Sequence, residues 1–430
     1  MAKTPKASVH TATTNAKAKP FCSHGSADNS TDNGNSLGTI TKSHVMPELQ
    51  GLDQNDYNFV LKRAEKYHLK NLSSTALPET VLRVNKKTGE EHRSYVHRVN
   101  YCLKRRISKD KAVGVLYNEK RGKAHYGNLQ RCGSVWTCPI CAAKITEGRR
   151  EEVKTGFKNW RDNGGYIIMA TFTNRHHRGD DLEDLLGGQK KALKKFWEKT
   201  KLTTMLKRLG YKGRLVATEV THGVNGWHPH YHVIMFFDHE VNAQALQTLL
   251  GLEWQDACKK SGMKIPSLEN GVQVQDADYA DRYVSKWGLE EEITKGHVKK
   301  GREDSLTPFD ILRQSEDDPH YGKLFRQYAD AFKGKRQLVW SKGLKDMLGI
   351  IEISDEELAV ETEKDSIVLD EIALQVWELI HRHKKEPDVL HAYELDYQDG
   401  GSRVYDLLWS LAEVEADKLR RNAEKYEGQL

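Results

Sequence analysis

Three short segments of the chain carry residues whose types and spacing suit one reaction. His230 and His232 are two residues apart, so in a strand their side chains point to the same face and can bind one metal ion. Tyr279 and Tyr283 are four apart, which makes them neighbours on one face of a helix. A metal ion beside two phenols suits attack on a phosphodiester, with a phosphotyrosine intermediate. Each pair alone is weak evidence, because histidine pairs and tyrosine pairs also occur in ordinary packed or hydrogen-bonded settings.

Glu219 is the predicted third metal ligand. The segment Gly223-Val-Asn-Gly226 is a turn signal between two predicted strands. If His222 lies opposite Trp227, then Glu219 lies directly opposite His230 on the same face of the hairpin. A register shift of one residue would turn Glu219 to the other face, so the assignment depends on the turn.

The set of Glu219, His230 and His232 predicts a divalent metal ion at the catalytic site, with Mn²⁺ or Mg²⁺ expected. Two imidazoles and one carboxylate also suit Zn²⁺ or Fe²⁺. Three protein ligands leave positions open for substrate oxygens, as a Lewis acid requires. His228, one step earlier on the same face, is an alternative ligand.

The tyrosine segment is predicted to be a catalytic helix face. Lys286 lies three residues after Tyr283 and extends that face, where it could stabilise charge that develops on phosphate oxygens. A phenol has a pKa near 10, so the metal would mainly polarise and orient the scissile phosphate. The alternative is an aromatic pair in a core, which the polar neighbours Asp278, Asp281 and Arg282 disfavour.

A cysteine cluster precedes these motifs. Cys132, Cys138 and Cys141 follow the pattern C-x5-C-x2-C, which indicates a structural zinc knuckle with an incomplete ligand set. Cys102 and His125 are the candidates for the fourth ligand, and Cys102 is included in the predicted set; a site that does not close, or three ordinary cysteines, is the alternative. Six cysteines in a long chain without a secretory signal indicate reduced thiols.

The pattern of elements predicts an α+β protein: an antiparallel sheet with helices on one face. Predicted strands are 166–173, 214–221, 228–237 and 271–275, and predicted helices are 142–160, 182–209, 241–262 and a segment from 276 onward. The expected divisions are a disordered basic arm at 1–45, a basic region with the cysteines at 46–160, a catalytic core at 161–300, a helical extension at 301–350 and an acidic helical domain at 351–430.

Charge is distributed unevenly along the chain. Residues 351–430 hold 9 basic and 21 acidic side chains, a net charge of −12. The whole chain has a net charge of +6, so residues 1–350 carry a net charge of +18. A basic body indicates a polyanion partner. The predicted DNA-binding face of the helix at 182–209 consists of Lys190, Lys191, Lys194 and Lys195. With no long apolar run and no signal peptide, we expect a cytoplasmic protein without membrane association.

The three motifs resemble, in order, those of the His-hydrophobic-His (HUH) endonucleases of rolling-circle replication. The strand 167–173 is similar to the first motif, 227–235 to the second and 279–286 to the third. The third motif is closest to the two-tyrosine branch, which includes phage gene A proteins. The resemblance covers about residues 160–290 and implies a ferredoxin-like or RRM-like core.

The resemblance also implies a mechanism and partners. One tyrosine would nick single-stranded or extruded origin DNA, stay joined to the 5′ phosphate and free a 3′ hydroxyl as primer. The second tyrosine would resolve the finished strand. A plasmid or phage origin in bacteria and host replication proteins would be the setting. A two-tyrosine rolling-circle transposase and a non-catalytic zinc-dependent DNA-binding regulator are the alternatives.

Overall fold

The computed structural model describes residues 54–84, 89–285, 305–360 and 365–427; the side chains at 54–56, 277–279, 285 and 423–427 are outside that description. The strands are β1 Thr80–Val84, β2 Glu91–Tyr95, β3 Val113–Asn118, β4 Lys123–Gly127, β5 Tyr166–Phe172, β6 Tyr211–Gly223, β7 Gly226–Phe237, β8 Val272–Gln275, β9 Leu338–Trp340 and β10 Ile367–Ile372. The helices are α1 Gln54–Ala76, α2 Pro139–Asp162, α3 Leu182–Trp197, α4 Thr200–Arg208, α5 Ala243–Lys260, α6 Leu268–Gly271, α7 Ala277–Ser285, α8 Pro308–Gln314, α9 Pro319–Phe332, α10 Leu344–Met347, α11 Asp355–Val360, α12 Leu374–Arg382, α13 Glu386–Asp399 and α14 Arg403–Glu427. The predicted arm at 1–45 lies outside the described residues.

A five-stranded antiparallel sheet contains the predicted strands, in the order β8-β5-β7-β6-β9. The α+β prediction and the four strands predicted from sequence are confirmed, with boundaries that differ by a few residues. The helix predicted at 182–209 is instead two helices, α3 and α4, which are separated at Glu198 and Lys199.

Helices cover both faces of this sheet, so the prediction of helices on one face was wrong. Helices α3, α4 and α5 pack on one face, where Phe196 and Trp254 meet Val233. Helices α2, α7 and α10 pack on the other, where Phe157 of α2 meets Phe236 of β7 with ring centroids 6.1 Å apart. The strand sequences indicate that both faces are covered. Continuous apolar runs such as Val-Ile-Met-Phe-Phe in β7 are typical of strands buried on both faces.

The β6–β7 hairpin has the register that the turn predicts. Gly223 pairs with Gly226, His222 with Trp227 and Glu219 with His230. Gly226 has φ +81°, and a Cβ atom there would lie 2.9 Å from the Cα of Arg178, so glycine suits both the conformation and the close approach. The tight two-residue loop therefore fixes which residues face each other along both strands.

A second, three-stranded sheet combines segments that are far apart in the sequence. The β3–β4 hairpin is extended by β10, so residues near 115 pair with residues near 370. Leu369 and Ile372, which lie in the region 351–430 that was predicted to be helical, belong to this strand, and the following helix starts only at Leu374. The region 351–430 is thus not purely helical. Pairing with β3, which is distant in sequence, makes this segment a strand although its apolar spacing also fits a helix.

A buried ion pair ties α1 to α13. Arg63 Nη1 donates to Glu394 Oε2 at 3.1 Å, and the same carboxylate accepts from the backbone N–H of Ala124 at 2.6 Å. The two side chains are 9% and 4% exposed, so either charge alone would be costly. One hydrophobic cluster also joins residues from all of the predicted divisions between 46 and 430. The domain boundaries stay a prediction.

Candidate functional site

The β6–β7 hairpin brings Glu219, His230 and His232 together on the sheet face that α2 and α7 cover. Glu219 Oε2 lies 3.5 Å from His230 Nε2 and 3.3 Å from His232 Nε2. The carboxylate therefore faces both imidazoles with the same oxygen atom. The three predicted metal ligands are therefore neighbours in the folded chain.

The three ligand atoms fit a single divalent metal ion. Ligand atoms at about 2.1 Å from one ion are about 3.0 Å apart in an octahedron and about 3.4 Å apart in a tetrahedron. The two carboxylate–imidazole separations are close to these values, and the three ligand atoms all lie within 4.8 Å of one another. The Glu219 side chain is 40% exposed while the imidazoles are 13% and 11% exposed, so the set is open on the carboxylate side. A substrate could reach an ion from there.

Neighbouring groups orient both imidazoles. His230 Nδ1 donates to the carbonyl oxygen of His228 at 3.2 Å, and His232 Nδ1 lies 3.0 Å from Thr171 Oγ1. These contacts leave the two Nε2 atoms to face the carboxylate, as a metal site needs. Burial would raise the pKa of Glu219, but the charge of His232 and hydrogen bonds from both imidazoles hold it well below its usual range. The carboxylate is therefore ionised and ready to act as a ligand.

Tyr283 lies directly against this trio. Its hydroxyl donates a hydrogen bond to Glu219 Oε1, and its ring packs on His232 with centroids 4.4 Å apart. The two oxygens of Glu219 thus have different neighbours: Oε2 faces the imidazoles and Oε1 holds the phenol. A metal ion bound at Oε2 would have the Tyr283 hydroxyl as a close neighbour.

Helix α7 is docked so that Tyr283 faces the sheet. Ala280 and Val284 are buried in the same apolar cluster as β5 and β7. Asp281 on the outer side of the helix pairs with Arg161 of α2 at 2.8 Å. Packing on one side and an ion pair on the other fix the rotation of the helix.

The other two residues predicted for this face are not described at the side-chain level. Tyr279 belongs to α7, one turn before Tyr283, and its side chain lies outside the described set. Lys286 lies wholly outside the described residues. The shared face of Tyr279, Tyr283 and Lys286 stays a prediction.

The loop between β5 and α3 is a part of the site that the sequence patterns did not reveal. Asn174 at its start is buried and accepts a hydrogen bond from the Gln189 amide, which also donates to the carbonyl oxygen of Pro229 at 2.7 Å. Further along, the backbone of Arg178 runs against Gly226 of the hairpin turn. The loop is therefore anchored to the strand that carries the histidines.

This loop brings one imidazole, that of His176, against His228 on the strand of the trio. His176 Nδ1 is 3.3 Å from His228 Nδ1, and His228 stacks toward His230 with ring centroids 5.2 Å apart. Arg175 and Arg178 are exposed. Burial, with the charges of His230 and His176, lowers the pKa of His228 to about 4. The sequence feature that could have indicated this part of the site is the run Arg-His-His-Arg at residues 175–178, shortly after β5.

The four predicted DNA-binding lysines lie elsewhere. Lys190, Lys191, Lys194 and Lys195 are exposed on α3. That helix packs on the sheet face opposite to the one that carries Glu219 and the two histidines. The structure does not bring these lysines to the metal site, and their role in DNA binding stays a prediction.

The cysteine cluster closes with Cys102 as its fourth member. Sulfur–sulfur distances are 3.5 Å for Cys102–Cys141, 3.7 Å for Cys132–Cys141 and 3.6 Å for Cys102–Cys138. A tetrahedral zinc site with Zn–S bonds of about 2.3 Å has sulfurs about 3.8 Å apart, and a disulfide has about 2.05 Å. The spacing fits four thiolates around one zinc ion. His125, the other candidate, is not in the group.

The backbone around the cysteines has the shape of a metal knuckle. The residues that follow Cys102 and Cys132 both have positive φ: Leu103 at 53° and Gly133 at 62°. The N–H of Ser134 points to the Cys132 sulfur at 3.5 Å. Cys138 is the N-cap of α2, so the positive end of the helix dipole favours a thiolate there.

Comparison with known proteins identifies relatives of this chain. A family model described as “Replication protein” matches residues 127–386. The “Protein rep” of Streptomyces lividans is 28% identical over 313 residues, which is 56% of this chain and 69% of that protein. The “Neomycin resistance protein” of Streptomyces cyanogenus is 28% identical over 189 residues, which is 36% of this chain and 43% of that protein. No solved structure matches. Among the described helices, none is both long and apolar enough to cross a membrane.

Proposed function

The chain belongs to the replication protein family, and we propose that it initiates rolling-circle DNA replication as a metal-dependent endonuclease and strand transferase. The observation that carries the proposal is the contact of Tyr283 with Glu219, the residue that also faces His230 and His232. A phenol held by a carboxylate next to a metal-ligand set is the arrangement that phosphotyrosine chemistry needs. We propose an HUH-type core of the two-tyrosine branch for residues 161–300.

The proposed reaction is a transesterification at one phosphodiester of the origin strand. The Tyr283 oxygen attacks phosphorus, and the bond from phosphorus to the 3′ oxygen breaks. The tyrosine keeps the 5′ phosphate as a diester, and the phenol proton is passed on so that the leaving 3′ oxygen becomes a hydroxyl. That hydroxyl primes synthesis. Tyr279 later cleaves the regenerated origin in the same way, and the 3′ hydroxyl that this second cleavage frees attacks the Tyr283 phosphodiester, which rejoins the strand and releases the Tyr283 phenol.

Each residue of the constellation has a task in this proposal. Glu219 Oε1 orients the phenol by accepting the hydrogen bond that its hydroxyl donates. A divalent cation such as Mn²⁺ or Mg²⁺, held by Glu219, His230 and His232, would polarise the scissile phosphate. Lys286 is proposed to stabilise charge on the phosphate oxygens.

Removal of both imidazole ligands is the direct test of the metal site. We expect His230→Ala with His232→Ala to abolish metal-dependent nicking, because a lone carboxylate cannot hold the ion in place. The assay mixes the protein with Mn²⁺ and single-stranded oligonucleotides that tile the replicon carrying its gene. A denaturation-resistant protein–DNA band reports the covalent intermediate. His239→Ala, at the end of the same hairpin, is the matched control.

Two outcomes of this assay would count against the proposal. Unchanged nicking by the double variant would refute the metal site. A second outcome is that wild-type protein binds origin DNA but forms no covalent band with any oligonucleotide and any divalent metal. In that case the better interpretation of the protein is a DNA-binding regulator without catalytic activity. The family match favours a replication initiator over a transposase.

The β5–α3 loop is proposed to hold the phosphates of the scissile strand. We expect Arg175→Ala with Arg178→Ala to weaken binding of single-stranded DNA and to reduce the slope of log affinity against log salt by about 1.4, because each lost phosphate contact contributes about 0.7. Fluorescence anisotropy across a salt series measures both quantities. Lys207→Ala with Arg208→Ala removes two exposed charges from the opposite side of the sheet and serves as control. An equal change in both variants would mean that only total charge matters.

Further cofactor and partner assignments belong to the same proposal. We assign a structural zinc ion to Cys102, Cys132, Cys138 and Cys141, whose spacing fits one. Single-stranded or extruded origin DNA is the substrate, and host replication proteins that extend the freed 3′ end are the expected partners. A plasmid-borne gene in a bacterial cytoplasm is the setting this implies.

A further inference from the structure

A strongly basic surface lies beside the cysteine cluster and shares no residue with the candidate nicking site. Residues 93–111 carry seven basic side chains and one acidic side chain, a net charge of +6. Within the described part of the chain, Arg98 is the only one of the seven with an ion pair, at 3.9 Å from Glu356. The surface can therefore attract a polyanion. Six of the seven basic side chains are exposed: Arg93, Arg98, Lys104, Arg105, Lys109 and Lys111.

The loop at 104–111 is held in one shape from below. Asn128, whose φ is +57°, donates its side-chain amide to the carbonyl oxygens of Ser108, Lys111 and Ala112 at 3.0, 2.9 and 3.0 Å. The side-chain oxygen of Asn128 accepts from the backbone N–H of Ser108 at 2.8 Å. One buttressing side chain thus fixes both ends of the loop. Cations on a fixed loop lose little conformational freedom when they bind a partner.

The β1–β2 hairpin is joined to this loop at its base and is otherwise exposed. The Tyr101 hydroxyl accepts from the backbone N–H of Tyr95 at 2.7 Å, and the Arg105 guanidinium lies over the Tyr101 ring at 4.0 Å. Every side chain of β1 and the first three of β2 are exposed. A two-stranded hairpin with both faces in solvent is only marginally stable by itself. A partner along the hairpin would supply the missing contacts.

The exposed hairpin has the dimensions and the side chains to enter the major groove of a DNA duplex. Its strands are about 4.8 Å apart, and a major groove about 12 Å wide admits a two-stranded ribbon. Cross-strand pairing places Arg83 beside His92 on one face and Leu82 beside Arg93 on the other. In the groove, arginine binds guanine edges, apolar side chains contact thymine methyl groups, and a carboxylate such as that of Glu91 accepts from cytosine.

The aromatic side chains of this surface favour duplex DNA over a single strand. Proteins that bind single strands stack the bases on aromatic rings. Here Tyr95 and Tyr101 stand edge to face with ring centroids 5.3 Å apart, and the Arg105 guanidinium covers the Tyr101 ring. Between residues 89 and 111, and in β1, no phenylalanine, tyrosine or tryptophan is exposed. The surface offers cations and a ribbon, but no open ring for a base.

We propose that the β1–β2 hairpin and the 104–111 loop together form a binding site for duplex DNA. The hairpin lies in the major groove, and Lys104, Arg105, Lys109 and Lys111 contact the phosphates at its edge. That this duplex flanks the nicking sequence rests on the proposed function; the duplex binding itself does not. The surface would hold the protein on the duplex while a single strand reaches Glu219 and the two histidines.

Removal of two loop charges tests the phosphate contacts. Duplex fragments that tile the replicon carrying the gene are measured by fluorescence anisotropy across a salt series, without divalent metal. For Lys109→Ala with Lys111→Ala, the slope of log affinity against log salt should fall by about 1.8, because each phosphate contact on duplex DNA contributes about 0.9. Lys207→Ala with Arg208→Ala removes the same charge from α4 and is the matched control. An equal change in both variants, or a wild-type protein that binds no duplex, would overturn the proposal.

Methylation protection tests the position of the hairpin. Guanine N7 faces the major groove, so wild-type protein should protect guanines from dimethyl sulfate within its footprint. Arg83→Ala with Arg93→Ala should lose this protection and bind the same duplex at least about tenfold more weakly, the scale of one lost arginine–guanine pair. Circular dichroism checks that the variant is folded. Wild-type protein that binds the duplex but protects no guanine would refute the placement in the major groove.

A single-stranded probe of the same sequence tests the choice of duplex. Both surface variants should lose at least about tenfold more affinity for the duplex than for the single strand, because the ribbon and the loop are matched to a groove and its edge. Equal losses on the two probes would overturn the assignment to duplex DNA. None of these measurements involves cleavage. If the wild-type protein forms no covalent adduct but shows the expected duplex binding, the proposed nicking fails while this site stands.

Discussion

We expect the Tyr283→Phe protein to form at least about 1000-fold less covalent protein–DNA adduct than the wild type, the scale on which loss of a nucleophile slows an enzyme. The change removes one oxygen atom and leaves the ring in place against His232. The removed hydroxyl is the group that Glu219 holds beside the metal-ligand set. The measurement is the denaturation-resistant band formed with a single-stranded origin oligonucleotide and Mn²⁺.

Tyr279→Phe is the matched control, one helical turn away on the same helix. We expect this variant to form the first adduct but to lose the rejoining step, which appears as a failure to transfer the bound strand to a second oligonucleotide. The double variant should form no adduct. Mass spectrometry of the nucleotide-bearing peptide identifies the attacking residue directly. A wild-type level of adduct from Tyr283→Phe would refute its assignment as the first nucleophile, and adduct from the double variant would refute both tyrosines.

The second large effect is expected at the cysteine cluster. Cys102→Ser with Cys141→Ser should eliminate one tightly bound zinc ion per chain and unfold the region around it. Structural zinc contributes about 10–16 kcal/mol in small zinc-binding peptides, which is comparable with the whole stability of a domain, about 5–15 kcal/mol. The cluster lies in the hydrophobic core that joins both ends of the described chain, so the damage should spread.

Metal analysis after dialysis against a chelator, together with thermal unfolding, measures this effect. Cys258→Ala is the control, because Cys258 is buried among apolar side chains of α5 and stands apart from the cluster. The His230→Ala, His232→Ala protein separates the two metal sites, since it should keep its zinc. Wild-type protein without zinc, or a cysteine variant that keeps it, would contradict the assignment.

The hairpin shows how much of the site could be predicted from the sequence. A two-residue loop bounded by Gly223 and Gly226 leaves one register, so the pairing of Glu219 with His230 was predictable and is confirmed. Tyr283 could be placed on a helix face, but its contact with Glu219 depends on how α7 docks. That docking depends on the apolar packing of Ala280 and Val284 and on the ion pair of Asp281 with Arg161, which is 120 residues away in sequence.

Other parts of the fold depend on contacts that no local pattern reports. Cys102 precedes Cys132 by 30 residues, and only the folded chain distinguishes it from His125 as the fourth member of the cluster. The strands β1 to β4 were not predicted, because their apolar stretches are short and interrupted by glycine, histidine or charged residues. The coverage of the second sheet face was missed, although α2 and α7 were predicted as helices, because helix periodicity does not tell which face of the sheet a helix covers.

The pairing of β10 with β3 has a consequence for the order in which the chain folds during synthesis. Val113 and its neighbours meet Ile372 only after more than 250 further residues have left the ribosome. Until then the β3–β4 hairpin has an open edge, and Arg63 lacks the carboxylate of Glu394. The first part of the chain to be made is therefore among the last to be completed. A premature stop near residue 350 would leave all strands of the five-stranded sheet in the chain but would remove β10 and Glu394, so the region around the cysteines would stay incomplete and become a target for chaperones and proteases.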